Sequence, residues 1–316
     1  MKYNVSVIIP TYNRKELLGR CLTSLFKQSY SGKYEIIVVD DGSRDGTKNL
    51  VKRLQKKYKN LRCFYQENKG PAAARNLGIK KSKGKIIGFT DDDCVVDKNW
   101  LKNIIKSHNL HPEYAIIGGR TYNLKNSLTA KVEQFVWEYS MSTQNTEKRL
   151  VKRIKIYSRP YSLEKARLLL WLSTNNVSFK KEMFNKVGLF DETFKSATLE
   201  DVELCWRAYK NNYQILYQPN IIVSNHKNLS LMSFLVQSFR RGVDVCKIKL
   251  KHSDFYMQEL PSNPLGVFLF ILEPFLRFIL KILQIQGFKN FITFLPYLFL
   301  NGVAYWIGII YGTIRK

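Results

Sequence analysis

Three consecutive carboxylates, Asp91-Asp92-Asp93, follow the apolar run Ile86-Ile87-Gly88-Phe89-Thr90. Held at the end of one strand, such charges repel one another unless a cation joins them. A hard divalent ion such as Mg2+ or Mn2+, bound through one or two carboxylates and substrate phosphates, supplies that compensation. The same triplet also reads as a solvated acidic turn. Asp40-Asp41-Gly42-Ser43-Arg44-Asp45-Gly46-Thr47 is rich in turn and N-cap residues. A carboxylate there can also accept a hydrogen bond from a nucleobase or ribose. In Asn68 to Asn76 a Gly/Pro turn leads into small residues and Arg75, either a surface charge or a ligand for phosphate and sugar. Thr198-Leu199-Glu200-Asp201 matches a capping box with a shortened acid, and its paired carboxylates also suit a general base. His226 is either structural or the third member of a metal site.

These groups need elements to hold them. Val5-Ser6-Val7-Ile8-Ile9-Pro10 reads as a buried strand, and the apolar spacing from Leu17 to Phe26 predicts a helix over about 14–27. The alternation repeats: strand 35–39, helix 47–58, strand 61–65, helix 72–80, strand 86–90. Further on, 100–107 and 198–210 read as helices, and 114–118, 175–179, 214–217 and 221–224 as strands. Such alternation predicts βαβ units in a mostly parallel sheet, with ligands at the carboxyl ends of the strands. Thr11-Tyr12-Asn13, the Asp40 turn and the Asp91 triplet all fall at that edge. The stretch 147–167, with eight basic and two acidic residues and Pro160, reads as a loop or broken helix.

The chain has 316 residues, 45% hydrophobic and 24% charged, which excludes wholesale disorder. Its 51 Lys+Arg against 25 Asp+Glu give a formal charge of +26. That excess fits nucleic acid, an anionic membrane or a polyanionic substrate. Cys21, Cys63, Cys94, Cys205 and Cys246 are scattered and odd in number, which argues against a disulfide framework or thiolate zinc and for a reducing compartment. The first residues lead directly into a strand, so no signal peptide is expected.

Composition changes after about residue 260. Residues 291–312 form 22 uncharged positions, long enough to span a bilayer. Residues 264–284 are also apolar but carry Glu273, Arg277 and Lys281 on one helical face, as in an interfacial helix or one packed against another span. Two buried core helices are the alternative; the aromatic density favours membrane contact.

Taken in order, these segments resemble the family 2 glycosyltransferases. The resemblance rests on Val5 to Arg14, Asp40-Asp41-Gly42-Ser43, Asn68-Lys69-Gly70 with Ala74-Arg75-Asn76, the Asp91 triplet, Asn175 to Phe179, Gly188 to Glu192, and Glu200-Asp201 with Arg207. It implies a GT-A fold: an α/β, Rossmann-like mixed sheet flanked by helices, here with a C-terminal apolar helical segment. It also implies a nucleotide-sugar donor and inverting transfer to an acceptor hydroxyl. Pro10, Thr11, Tyr12, Asp40, Asp41, Arg75, Asp91 and Asp92 would line the donor site. Asp91 and Asp93 would hold Mg2+ or Mn2+, with His226 loosely matching a third ligand. Asp201 would be the base, with Glu200 as the fallback.

The expected organisation is a catalytic domain over 1–229 and a basic amphipathic helix with apolar membrane-associated helices over 230–316. The expected acceptor is a glycan or lipid-linked hydroxyl, in polysaccharide or glycoconjugate synthesis, at the cytoplasmic face of the membrane. A nucleotidylyltransferase, or another nucleotide-binding α/β protein, is the alternative; the loop Thr11-Tyr12-Asn13-Arg14 lacks the Gly-rich form it would need. Nucleic-acid binding is not expected, since no recognised module is visible.

Overall fold

The computed structural model describes residues 3–143, 166–226, 229–255 and 292–314. The elements are β1 (Val5–Thr11), α1 (Lys15–Phe26), β2 (Tyr34–Asp40), α2 (Thr47–Lys57), β3 (Leu61–Tyr65), α3 (Pro71–Lys81), β4 (Ile86–Phe89), β5 (Cys94–Val96) and α4 (Trp100–Leu110). They continue with β6 (Ile116–Asn123), α5 (Leu128–Thr143), β7 (Arg167–Leu169), β8 (Val177–Lys180), α6 (Met183–Val187), α7 (Glu200–Lys210), β9 (Ile215–Asn225) and α8 (Leu231–Lys251). A last helix, α9, spans Ile292–Ile314. The chain divides into two compact units, Met1–Lys125 with Gln134–Lys227, and Asn126–Glu133 with Asn228–Lys316.

The first unit is built on a nine-stranded sheet in the order β3-β2-β1-β4-β8-β6-β9-β5, with β7 added to β9. The four leading strands are parallel. Helices cover both faces of this half, so its strands are apolar throughout rather than alternating: Val5, Val7, Ile8 and Ile9 are all fully buried. Antiparallel β8, between β4 and β6, makes the sheet mixed. This is the expected α/β architecture, with an apolar helix at the C-terminal end of the chain.

Helix α3 lies against β1 and β2 because its residues are small. A Cβ on Gly78 would come within 2.5 Å of Ile8 Cγ2. Its turn depends on Gly70, whose φ of +92° is open to glycine and whose added Cβ would stand 2.9 Å from the Lys195 carbonyl oxygen.

Several elements differ from the sequence expectations. The strands expected at 214–217 and 221–224 form one strand, β9, whose register with β6 slips between Gly119 and Arg120. The slip falls at Pro219-Asn220, where proline has no N–H for the ladder. The capping box does not form: Leu199 is the N-cap, and the Glu200 carboxylate instead accepts the Thr198 N–H at 2.8 Å. Strand β6 extends to Asn123, and α5, α6, β5 and β7 add to the expected elements. Most of the basic stretch 147–167 and all of 264–284 lie outside the described residues.

In the second unit α8 and α9 pack through small residues. A Cβ on Gly242 would overlap the Tyr305 carbonyl, one on Gly308 would overlap that of Phe239, and Ser238 Oγ donates to Asn301 Oδ1. Such close backbone approach lets long helices gain dispersion contact.

Candidate active site

Parallel register sets the first part of the site. Thr11 pairs with Asp40, and Asp40 with Tyr65, so the last residues of β1, β2 and β3 form one row at the carboxyl edge. Asp40 Oδ1 accepts the Ser43 N–H at 2.9 Å, closing the turn after β2. Asp41 turns the other way. Its Oδ1 accepts from Gln66 Nε2 (2.7 Å) and Lys69 N (2.9 Å), and its Oδ2 from Gly70 N (2.9 Å), so it fixes the loop entering α3. Pro10 is partly covered within β1, and Tyr12 stands exposed just beyond it.

The acidic triplet closes the end of β4, and its members do not point alike. Asp92 faces inward: Oδ2 accepts the Thr11 hydroxyl at 2.8 Å and Oδ1 meets Arg14 Nη1 at 3.0 Å. Burial raises its pKa to about 6, against the pull of Arg14. The same Arg14 nitrogen lies 3.3 Å from Asp93 Oδ2. Asp91 is the most open of the three, its side chain 29% exposed. His226 comes alongside because β5 pairs antiparallel with β9, and its N–H donates to the Asp93 carbonyl at 2.8 Å. Burial, Arg20 and Lys125 lower the imidazole pKa, against the pull of Asp93.

Helix α7 brings the second pair of acids to this edge. Glu200 and Asp201 open the helix, and Glu203 and Arg207 anchor it. Arg207 bonds both Glu203 oxygens at 2.8 Å and the carbonyls of Val187 and Leu189. Asn76 holds the intervening loop to α3, accepting the Phe190 N–H and donating to the Phe190 carbonyl and Glu192, each at 2.9 Å. Arg75 then spans the gap. Its Nη1 meets Glu200 Oε1 at 2.6 Å and its Nη2 meets Asp91 Oδ1 at 3.1 Å. Glu200 has both oxygens occupied and is fully buried. Asp201 is buried too; its Oδ2 accepts the Thr174 N–H at 3.2 Å and its Oδ1 the Val202 N–H at 2.8 Å. Both acids are pushed upward in pKa, chiefly by burial.

The carboxylates of Asp91 and Asp93 suit a hard divalent cation, with His226 reached through the backbone at Asp93. Among the described residues no three His, Cys, Asp or Glu side chains gather closely enough to hold a metal unaided. One or two carboxylates leave the remaining coordination to substrate phosphates and water, as Mg2+ usually has it.

Every site residue expected from the sequence lies in this unit, though their surroundings differ. Arg75, expected near the nucleotide, is buried among acids. Arg14 was not expected to contribute, yet it is the cation lying across two triplet acids. The signal was available, since three adjacent carboxylates need a positive neighbour and Arg14 directly follows the β1 motif. Thr174, which orients Asp201, left no sequence signal.

Residues 6–170 match the family model described as Glycosyl transferase family 2. The chain is 45% identical over 100 residues to glycosyltransferase AglE of Haloferax volcanii, a stretch covering 31% of this chain and 33% of that protein. It therefore spans only about a third of that relative. It is 25% identical over 249 residues to a dolichyl N-acetyl-α-D-glucosaminyl phosphate 3-β-D-2,3-diacetamido-2,3-dideoxy-β-D-glucuronosyltransferase of Methanococcus voltae, covering 75% and 71% of the two chains. Its fold is similar to that of the mannosyltransferase PcManGT of Pyrobaculum calidifontis, solved with GDP-Man and Mn2+: TM-score 0.64, 16% identity, and coverage of 100% of this chain and 88% of that one.

Proposed function

Since the chain belongs to glycosyl transferase family 2, we propose that it is an inverting enzyme moving a sugar from a nucleotide diphosphate donor to an acceptor hydroxyl. The observation that carries this reading is Arg75, whose one guanidinium touches both the Asp91 triplet and the Glu200-Asp201 pair, drawing acids from distant parts of the chain to one sheet edge. Thr11, Tyr12 and the Asp40 turn supply the nucleoside side of this edge. Asp91 and Asp93 would hold Mg2+ or Mn2+, with His226 as a third group. When bound, the cation supplies charge stabilisation for the departing nucleotide diphosphate.

Asp201 is the base. It takes the acceptor proton while the hydroxyl oxygen attacks the anomeric carbon, and the bond to the diphosphate breaks on the opposite face with its electron pair leaving on the nucleotide. A carboxylate at a helix N-terminus is made less basic by the dipole, and burial opposes this. Glu200 is ion-paired with Arg75, whereas Asp201 accepts from the Thr174 and Val202 N–H groups, which makes Asp201 the better base.

The acceptor is read as lipid-linked. Helix α9 is 23 residues long and carries no charged residue, and it exposes Phe299, Ile307, Ile310 and Ile314. Helix α8 carries Arg240, Arg241, Lys247, Lys249 and Lys251, a charge suited to an anionic leaflet. On this reading residues 1–229 catalyse and 230–316 associate with the cytoplasmic membrane face. The test is nucleotide release from a panel of UDP- and GDP-sugars with Mn2+ or Mg2+ and membrane lipid extract as acceptor. One donor should respond to the extract; release from none would reject the reading.

A further inference from the structure

We propose that Arg75 is a positioning residue through which Asp91 and Glu200 compete for one guanidinium, coupling metal affinity at the end of β4 to the helix that carries the base. The inference rests on the reading of Asp91 as a metal ligand.

The guanidinium has few choices. Its side chain is 2% exposed, its terminal nitrogens meet the two acids, and Nε has no hydrogen-bond partner among the described residues. The Phe190 ring, 5.8 Å from the guanidinium carbon, backs it with an apolar surface. A planar fork cannot improve its geometry toward one acid without changing it toward the other. The two arms are unequal. The Glu200 contact is 2.6 Å between groups that are both fully buried, whereas the Asp91 contact is 3.1 Å and its carboxylate is partly open. Asp91 is therefore the arm that yields. A cation drawing on the Asp91 carboxylate loosens that contact and leaves the guanidinium to Glu200, the first residue of α7 and the neighbour of Asp201.

Coupling of this kind is reciprocal. Removing the Glu200 charge turns Arg75 toward Asp91, where it opposes the metal, although Glu200 itself has no open oxygen with which to touch a ligand. Arg75→Lys acts in the opposite sense, because a single ammonium stays with the deeper acid and releases Asp91.

The test is Mn2+ binding to the full chain, followed by the electron paramagnetic resonance of free Mn2+, with MnCl2 alone and with UDP or GDP present. Thermal melts report folding of each variant. Glu200→Gln should weaken Mn2+ binding about fivefold or more. Arg75→Lys should tighten it, and Glu200→Gln placed in the Arg75→Lys background should then have little further effect. Affinity within twofold of the unaltered chain in both single variants overturns the coupling, as does a Glu200→Gln loss of the same size in both backgrounds. If Glu200→Gln does not fold, Arg75→Lys alone decides, and unchanged affinity overturns the proposal. An unaltered chain that binds no Mn2+ under any of these conditions overturns the metal reading and the coupling with it.

Discussion

The Thr174 N–H donates to Asp201 Oδ2 at 3.2 Å, so the chain segment leading into β8 orients the carboxylate at the start of α7. A second N–H, from Val202, takes the other oxygen. Two fixed donors hold the carboxylate plane while burial raises its pKa. An oriented but still basic carboxylate is what proton abstraction needs.

The acid limb of the rate profile follows from that shift. As the proposed base, Asp201 works only when ionised, and its pKa is raised, so kcat/KM should fall as pH drops through a value above the ~3.9 of a free aspartate. Below that value the loss is about tenfold per pH unit. A profile flat down to pH 4 would contradict it.

Metal removal should be reversible. EDTA should abolish nucleotide release and Mn2+ should restore it. Asp93→Asn should cut turnover by about a hundredfold or more at limiting metal, and excess Mn2+ should recover part of this. The check is a Mn2+ titration of the rate.

His108 makes an independent prediction about stability. Ser178 Oγ donates to the Ile117 carbonyl at 2.8 Å, so it can only accept from His108 Nε2 at 3.0 Å, and Nδ1 is left buried without a partner among the described residues. The ring is neutral, with its pKa lowered to about 4, chiefly by burial. An unfolded chain takes up the proton near pH 6.5 and the folded one does not, so stability is lost as pH falls through that window, by up to about 3 kcal/mol. Urea melts at pH 7 and pH 4.5 should show this loss, and His108→Gln should reduce it.

The apolar C-terminal helix predicts vesicle binding. The full chain should float with vesicles containing anionic lipid, and salt should weaken binding. Ile307→Asp with Ile310→Asp should reduce partitioning by about a hundredfold or more, since two exposed isoleucines contribute about 1.5–3 kcal/mol each on burial. Equal flotation of the variant would remove α9 as the contact.

Legibility in the sequence tracked local physics. Strands β1 to β4 and helices α1 to α4 stand out because parallel strands buried on both faces leave unbroken apolar runs between amphipathic helices. Strand β9 reads as two strands, since Pro219 hides its continuity, and β5 has only three residues. At the site, residue types and order exposed the acids, but not which way each one faces. Asp92 is set apart by the Thr11 hydroxyl, while Arg14 reaches both Asp92 and Asp93 and Arg75 holds Asp91. The burial of Arg75 depends on Glu200, 125 residues away, and no local pattern encodes that pairing.

The central claim is that Asp201 moves the acceptor proton and does not build the donor site. The direct measurement compares Asp201→Asn with the unaltered chain for turnover and for Mn2+-dependent nucleotide binding on the same samples. The predicted result is a kcat lower by about a thousandfold or more, with nucleotide affinity within about threefold. Loss of nucleotide binding in parallel with turnover, or turnover that persists, would contradict it.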